Sequence, residues 1–191
     1  MKQLVACVAV ILVAGFLWAD KPLTRTDPGF VGRPAPPDMM VGTDDCPGLN
    51  IGTVLPYTDP GDTCGFTNSI TTYAGTCTLP YPYGGEDVIY EMNLGGGNTV
   101  AFSADLTGST GDLALFLLST CGDGNSCVAN SQDAIGPGVG PEEILSASYP
   151  VGAYYLYVDS YYDAGTAGSC GTYTLTITGT LPAELIEFSA E

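Results

Sequence analysis

The heptapeptide Thr172-Tyr173-Thr174-Leu175-Thr176-Ile177-Thr178 is the clearest structural signal in this sequence. Large apolar side chains fill every second position and threonines fill the others, which is the pattern of a β-strand with one buried face. Residues 99–106 show the same alternation, and residues 113–118 are apolar throughout, as in a strand that is covered on both faces. The sequence therefore predicts sheet structure, with the tyrosine, leucine and isoleucine of the heptapeptide facing inward.

Further short strands are predicted before, between and after these three. They lie at residues 51–55, 70–73, 88–93, 144–149, 154–158 and 185–188. Glycine-rich turns separate them, as at Gly95-Gly96-Gly97-Asn98, and beyond the N-terminal segment no window has the period of a helix. Many short strands at this spacing indicate an all-β fold, namely an antiparallel β-sandwich or jelly roll.

The charge distribution excludes several classes of function. The chain has 191 residues with 21 acids, 4 bases and no histidine, and its last base is Arg33. Because such a surface repels phosphate backbones, we expect no binding to nucleic acid. The lack of an imidazole excludes Ser-His-Asp and Cys-His catalysis.

The first residues have the features of a secretory signal peptide. Residues 4–18 are apolar and follow Lys2, and Ala19 precedes a plausible cleavage point at Asp20. An uncleaved anchor is the alternative, although 15 residues are short for a bilayer span of about 20. The sequence thus divides into a signal peptide (1–19), a proline-rich extended arm or linker (20–43), a β-sandwich domain (44–180) and a C-terminal strand or tail (181–191).

The mature chain contains an even number of cysteines, which predicts three disulfides in an exported protein. The six are Cys46, Cys64, Cys77, Cys121, Cys127 and Cys170. Nearness in sequence favours Cys121 with Cys127 and Cys64 with Cys77, which leaves Cys46 with Cys170. Zinc ligation is the rival reading, but the chain has no C-x-x-C pair and no histidine to complete such a site.

Acidic and amide side chains in glycine-containing loops suggest a calcium site, because calcium binds six to eight oxygen ligands. The candidate ligands are Asp123, Asn125, Asn130, Asp133, Asp159 and Asp163. The alternative is that these side chains cap turns by bonding to nearby backbone groups.

Tyrosines are concentrated in one predicted strand and the loop after it. Four of them are candidates for an exposed binding surface that stacks on sugars or packs against a protein: Tyr155, Tyr157, Tyr161 and Tyr162. The alternative is that these rings belong to the core of the sandwich.

Four stretches, in this order, carry a resemblance to a known family. They are GEDVIYEM (85–92), DLALFLL (112–118), GAYYLYVD (152–159) and GTYTLTI (171–177), with a loop of close cysteines after the second. The order resembles the bacterial pre-peptidase C-terminal domains over residues 44–179. The resemblance implies a non-catalytic extracellular jelly roll, in some members stabilised by calcium, that binds substrates or surfaces.

These observations lead to two hypotheses about function, neither of them enzymatic. The first is an extracellular structural subunit that assembles with copies of itself or coats a cell surface, through residues 20–43 packing on a neighbour. The second is a carbohydrate- or matrix-binding accessory module of a secreted hydrolase system. The first is favoured because no effector domain accompanies the module.

Overall fold

A computed structural model describes residues 42–52, 55–77, 82–94, 99–105, 111–131 and 141–180 of the chain. These residues form nine β-strands and one short 3₁₀ turn at Gly124–Ser126. The strands are β1 (Leu49–Asn50), β2 (Tyr57–Asp62), β3 (Val88–Leu94), β4 (Thr99–Asp105), β5 (Leu113–Leu118), β6 (Cys127–Asn130), β7 (Pro141–Ser148), β8 (Gly152–Ser160) and β9 (Thr172–Thr180). The predicted all-β sandwich is therefore confirmed.

The strands form two sheets that pack face to face. The five-stranded sheet has the order β1-β3-β8-β5-β6, and the four-stranded sheet has the order β2-β9-β4-β7. All neighbouring strands are antiparallel except β1 and β3, which are parallel. The alternating heptapeptide lies in β9, between β2 and β4.

The space between the sheets contains the main hydrophobic core. Tyr173, Leu175 and Ile177 of β9 are buried there, as their alternation predicts. Side chains of β3, β5 and β8 meet them from the other sheet, at Val88, Tyr90, Met92, Leu115, Leu117, Leu156 and Val158. The exposed threonines of β9 lie on the outer face of the four-stranded sheet.

A second core covers the outer face of the five-stranded sheet. Every residue of β5 is buried, because residues 66–77, here called the cover segment, pack over that sheet. The ring of Tyr73 stacks on Phe116 with centroids 3.7 Å apart and planes 4° apart. The predicted two-sided burial of residues 113–118 is thus correct, although the second cover is a loop segment and not another sheet.

Two of the shorter predicted strands differ from the structure. Residues 70–73 belong to the cover segment, where Ile70 and Tyr73 are buried without ladder pairing. In place of the strand predicted at residues 51–55, the structure has a two-residue strand at Leu49–Asn50, which ends before residue 51. The predicted strand at 185–188, the signal peptide and the arm up to residue 41 lie outside the described residues.

The six cysteines form three disulfides, but every predicted pairing is wrong. The bonded pairs are Cys46–Cys121, Cys64–Cys170 and Cys77–Cys127, with sequence separations of 75, 106 and 50 residues. Cys64–Cys170 joins the end of β2 to the start of β9. Cys46–Cys121 joins the segment before β1 to the loop after β5. Cys77–Cys127 joins the cover segment to the start of β6.

The short loop between Cys121 and Cys127 is closed by hydrogen bonds, so it needs no covalent link. The Ser119 amide donates to the Ser126 carbonyl at 3.1 Å, and the Ser126 hydroxyl donates to the Thr120 carbonyl at 3.1 Å. Cys127 begins β6 with its side chain in the second core, where it meets Cys77 of the cover segment. The direction of a strand side chain, and not nearness in sequence, selects its partner.

Candidate functional site

The candidate calcium ligands of the loop after β5 make local hydrogen bonds. The Asp123 carboxylate caps the 3₁₀ turn by accepting from the backbone and side-chain nitrogens of Asn125, each at 3.0 Å. The Asn130 side chain donates to the carbonyl of Ser131 at 2.7 Å. This geometry is what the capping alternative predicts.

The remaining candidate ligands lie elsewhere. Asp159 is fully buried at the end of β8, and Asp163 packs against Gly84 in the loop that follows. Asp133 lies outside the described residues. Within the part of the chain that the structure describes, no group of three or more acidic or cysteine side chains is placed to hold a metal ion. Among the described residues, Asp123, Asp159 and Asp163 do not form one such group.

The sequence analysis missed a pair of buried carboxylates, Asp87 and Asp159. Val88 of β3 pairs with Val158 of β8, so the two aspartates are the next cross-strand neighbours along these antiparallel strands. Both carboxylates are fully buried and bind the cover segment. Asp87 accepts from the amide of Ser69 at 2.8 Å, and Asp159 accepts from the hydroxyl of Tyr73 at 2.6 Å.

No cation neutralises this pair among the described residues, because the chain has no lysine, arginine or histidine after Arg33. Burial raises the pKa of Asp87 to about 6, against the opposing effect of hydrogen bonds from Ser69 and Ile70. Burial, together with the charge of Asp87, raises the pKa of Asp159 well above its usual range. Both carboxyl groups therefore retain a proton to higher pH than an exposed aspartate does.

A third aspartate beside the cover segment is shifted in the opposite direction. Burial alone would raise the pKa of Asp44, but hydrogen bonds from the hydroxyl and amide of Thr67 outweigh it and lower that pKa. The amide contact is 2.7 Å and the hydroxyl contact is 2.6 Å. Asp44 thus ties the start of the domain to the cover segment as an ion, whereas Asp87 and Asp159 favour the protonated form.

The buried pair does not have the properties of a catalytic dyad. Both carboxylates are fully buried beneath the cover segment, so a substrate in solution does not reach them. Their carboxylate oxygens accept hydrogen bonds from Ser69 and Tyr73 instead. The two-carboxylate arrangement of glycosidases requires both groups to flank an accessible sugar. The geometry assigns the pair to the attachment of the cover segment.

The proposed tyrosine surface is wrong at Tyr157. This side chain is fully buried, and its hydroxyl accepts from the Gly122 amide at 3.0 Å beside the Cys46–Cys121 disulfide. The alternation of β8 placed Tyr157 on the correct outer face, but the cover segment and the loop after β5 enclose that face. Tyr157 is therefore a core residue that positions a disulfide loop.

The other three tyrosines of that surface are half-buried. Tyr155 packs against the second core, and Tyr161 and Tyr162 contact each other edge to face, with centroids 5.2 Å apart and planes at 76°. Tyr161 also contacts the ring of Tyr83. Perpendicular rings do not present one flat platform for stacking on sugars.

The sequence analysis also missed a groove on the outer face of the four-stranded sheet. Val100 pairs with Ala147 and Phe102 pairs with Ile144, so β7 carries one extra residue between these pairs. Leu145, on the same outer face as Glu143, is 73% exposed, and the bulge breaks the alternation at Ser146, which is exposed as well. The groove has a volume of about 180 Å³, and its lining includes Ala101, Ser103, Glu143, Leu145, Thr176 and Thr178.

These features define the class of the protein as a disulfide-bonded β-sandwich with acidic side chains and no basic ones among the described residues. In this part of the chain, no helix has the length and hydrophobicity needed to span a membrane. No family model and no curated protein matches the sequence.

One solved structure to which the chain is similar is the pre-peptidase C-terminal domain of collagenase from Bacillus anthracis. The two are 20% identical, the match covers 68% of this chain and 93% of that domain, and the TM-score is 0.42. A similarity at this level supports no argument about function.

Proposed function

We propose that this protein is a secreted, non-catalytic structural subunit of the pre-peptidase C-terminal type that assembles with copies of itself. One observation carries the proposal, namely the separation of charge along the chain. Beyond the predicted signal peptide, the only bases are Lys21, Arg25 and Arg33, whereas 18 carboxylates lie beyond residue 40. Because Asp20, Asp27 and Asp38 balance these three bases, the arm has no net charge; its bases are attracted to any copy of the acidic body, and this attraction weakens with salt.

Two further observations support the proposal. Three long-range disulfides are the stabilising device of proteins exported to oxidising compartments. The lack of histidine in the chain excludes an imidazole base, and the burial of Asp87 and Asp159 keeps this pair from a substrate in solution. A scaffold of this kind suits a structural role.

The role of the arm in assembly is tested by removing its three positive charges without shortening it. We expect the triple variant Lys21→Gln, Arg25→Gln and Arg33→Gln of the mature chain to self-associate at least tenfold more weakly than wild type in low salt. The matched control is Asp27→Asn with Asp38→Asn, which removes acids from the same arm and is expected to associate at least as strongly as wild type. The measurement is sedimentation velocity at 20 and 500 mM salt. If both variants associate equally strongly, the positive charges of the arm have no role in assembly.

Calcium is proposed as a stabilising ligand, because 18 carboxylates beyond residue 40 repel each other without a nearby base. A ligand that binds only the folded state adds about 2.7 kcal/mol at a hundred times its dissociation constant. We therefore expect calcium to raise the melting midpoint by roughly 5 to 10 °C relative to chelator. Magnesium at matched ionic strength is the control, and equal midpoints in calcium, magnesium and chelator would reject a specific site.

A further inference from the structure

We infer that the groove at the β7 bulge binds Met39, Met40 and Val41 of a second copy of this chain. The inference rests on the proposed self-assembly and names the surface that carries it. The groove is lined by small and apolar groups along one wall, with Ala101 on β4 and Leu145 on the bulge. Leu145 is 73% exposed in the single chain, so covering it removes apolar area from water.

Among the described strands, the one that forms the rim of the groove lies at an edge of its sheet. β7 has eight residues, is the last strand of its sheet, and pairs with β4 only among the described strands. Its one proline is Pro141, at the first position. An extended segment can therefore lie beside β7 while its side chains enter the groove.

The arm has the chemistry that such a groove accepts. Met39-Met40-Val41 is an apolar stretch at the end of a proline-rich segment that also contains Leu23 and Phe30-Val31, and unbranched methionines adapt to irregular gaps. Arg33 lies six residues before Met39, and Glu143 lines the groove. The Arg33 side chain and the Glu143 carboxylate have opposite charges, whereas Asp38, directly before Met39, has the same sign as Glu143.

The domain's own residues 39–41 do not reach this groove. Val41 precedes Gly42, which packs against Val88 of β3, and Thr43 pairs with Ile89 of the same strand. Across the sandwich, β3 faces β2 through the ring contact between Tyr90 and Tyr57, and β7 is three strands away from β2. Three strand spacings of about 4.8 Å and one sheet spacing of about 10 Å exceed the roughly 10 Å that three residues span. If residues 39–41 occupy this groove, they therefore come from a second copy.

This contact joins two different surfaces, the arm of one copy and the groove of the next. A head-to-tail contact of this kind repeats and produces rings or open chains. It also predicts complementation, because a copy with a damaged groove still has an arm, and a copy with a damaged arm still has a groove.

The test uses two variants of the mature chain and one matched control. Leu145→Asp damages the groove, Met40→Asp damages the arm, and Val151→Asp changes a residue that is also 73% exposed but does not line the groove. We expect the first two variants to be monomers by sedimentation velocity, an equal mixture of them to form a 1:1 heterodimer, and Val151→Asp to assemble like wild type. Melting curves check that each variant is folded, and Leu145→Ser replaces Leu145→Asp if the latter does not fold.

The outcomes separate this inference from the proposed function. Assembly of Leu145→Asp at the wild-type concentration would overturn the groove contact and leave self-assembly intact. Two monomeric variants that form no heterodimer would also overturn it. A wild-type chain that stays monomeric at high concentration would overturn both proposals together.

Discussion

Reduction of the three disulfides is expected to unfold this protein at room temperature. Cross-links that close loops of 50, 75 and 106 residues each stabilise the folded state by about 4 to 5 kcal/mol in the chain-entropy account. Their sum is comparable to the whole stability of an ordinary domain, which is about 5 to 15 kcal/mol. Melting followed by far-ultraviolet circular dichroism, with and without reductant, measures the effect.

The connectivity is checked by mass mapping of the unreduced protein. We expect proteolytic fragments linked as Cys46–Cys121, Cys64–Cys170 and Cys77–Cys127. Serine replacement of both members of one native pair is expected to cost several kcal/mol of unfolding free energy. Recovery of a Cys121–Cys127 link, or a reduced protein that melts at the same temperature, would contradict the structure.

Acidification from pH 7 to pH 4 is expected to stabilise the fold, against the behaviour of most proteins. A carboxyl group whose pKa is raised by folding gives its full stabilisation below the unfolded pKa near 3.8, and loses it as pH rises through the folded value. For Asp87, whose folded pKa is about 6, the loss between pH 4 and pH 6 is about 3 kcal/mol. Burial also raises the pKa of Asp159, which adds a loss of the same sign.

Two isosteric variants distinguish the pH dependence caused by the buried pair from that caused by repulsion among the surface carboxylates. Asp159→Asn is expected to flatten the pH dependence of the melting temperature, because the amide does not titrate and its oxygen still accepts from Tyr73. Asp123→Asn is the surface control, and we expect it to leave the slope between pH 4 and pH 7 unchanged. Asp44 has the opposite effect on stability. Folding lowers its pKa, so the stabilisation that its carboxylate provides is lost on acidification. Stability that rises steadily from pH 4 to pH 7 would contradict the pKa assignments.

Alternation predicts the strands of this protein well, because burial of one sheet face imposes a period of two on the sequence. Tyr173, Leu175 and Ile177 are buried as expected. The apolar run at residues 113–118 also predicts correctly that a second layer exists. The sequence does not reveal that residues 66–77 form that layer, because a loop that packs through Ile70, Tyr73 and Cys77 has no regular period.

The errors in the candidate site have the same origin. Tyr157 faces the side that alternation predicts, yet whether that side meets water depends on a segment about 80 residues earlier in the chain. The disulfide partner of Cys127 likewise depends on the layer that its strand faces. Leu145 is exposed next to buried Ile144, as alternation places it, but the bulge at this point is a property of the pairing between two strands that cannot be seen in either one alone.

Self-assembly is tested most directly by the mass of the mature chain in solution. Sedimentation velocity of residues 20–191, in calcium and at increasing protein concentration, gives that mass without any variant. We predict species at multiples of a monomer that is lighter than the 19.7 kDa of the full sequence, with the larger species lost in high salt. A single monomeric species at every concentration, with calcium present and salt low, would contradict the central claim.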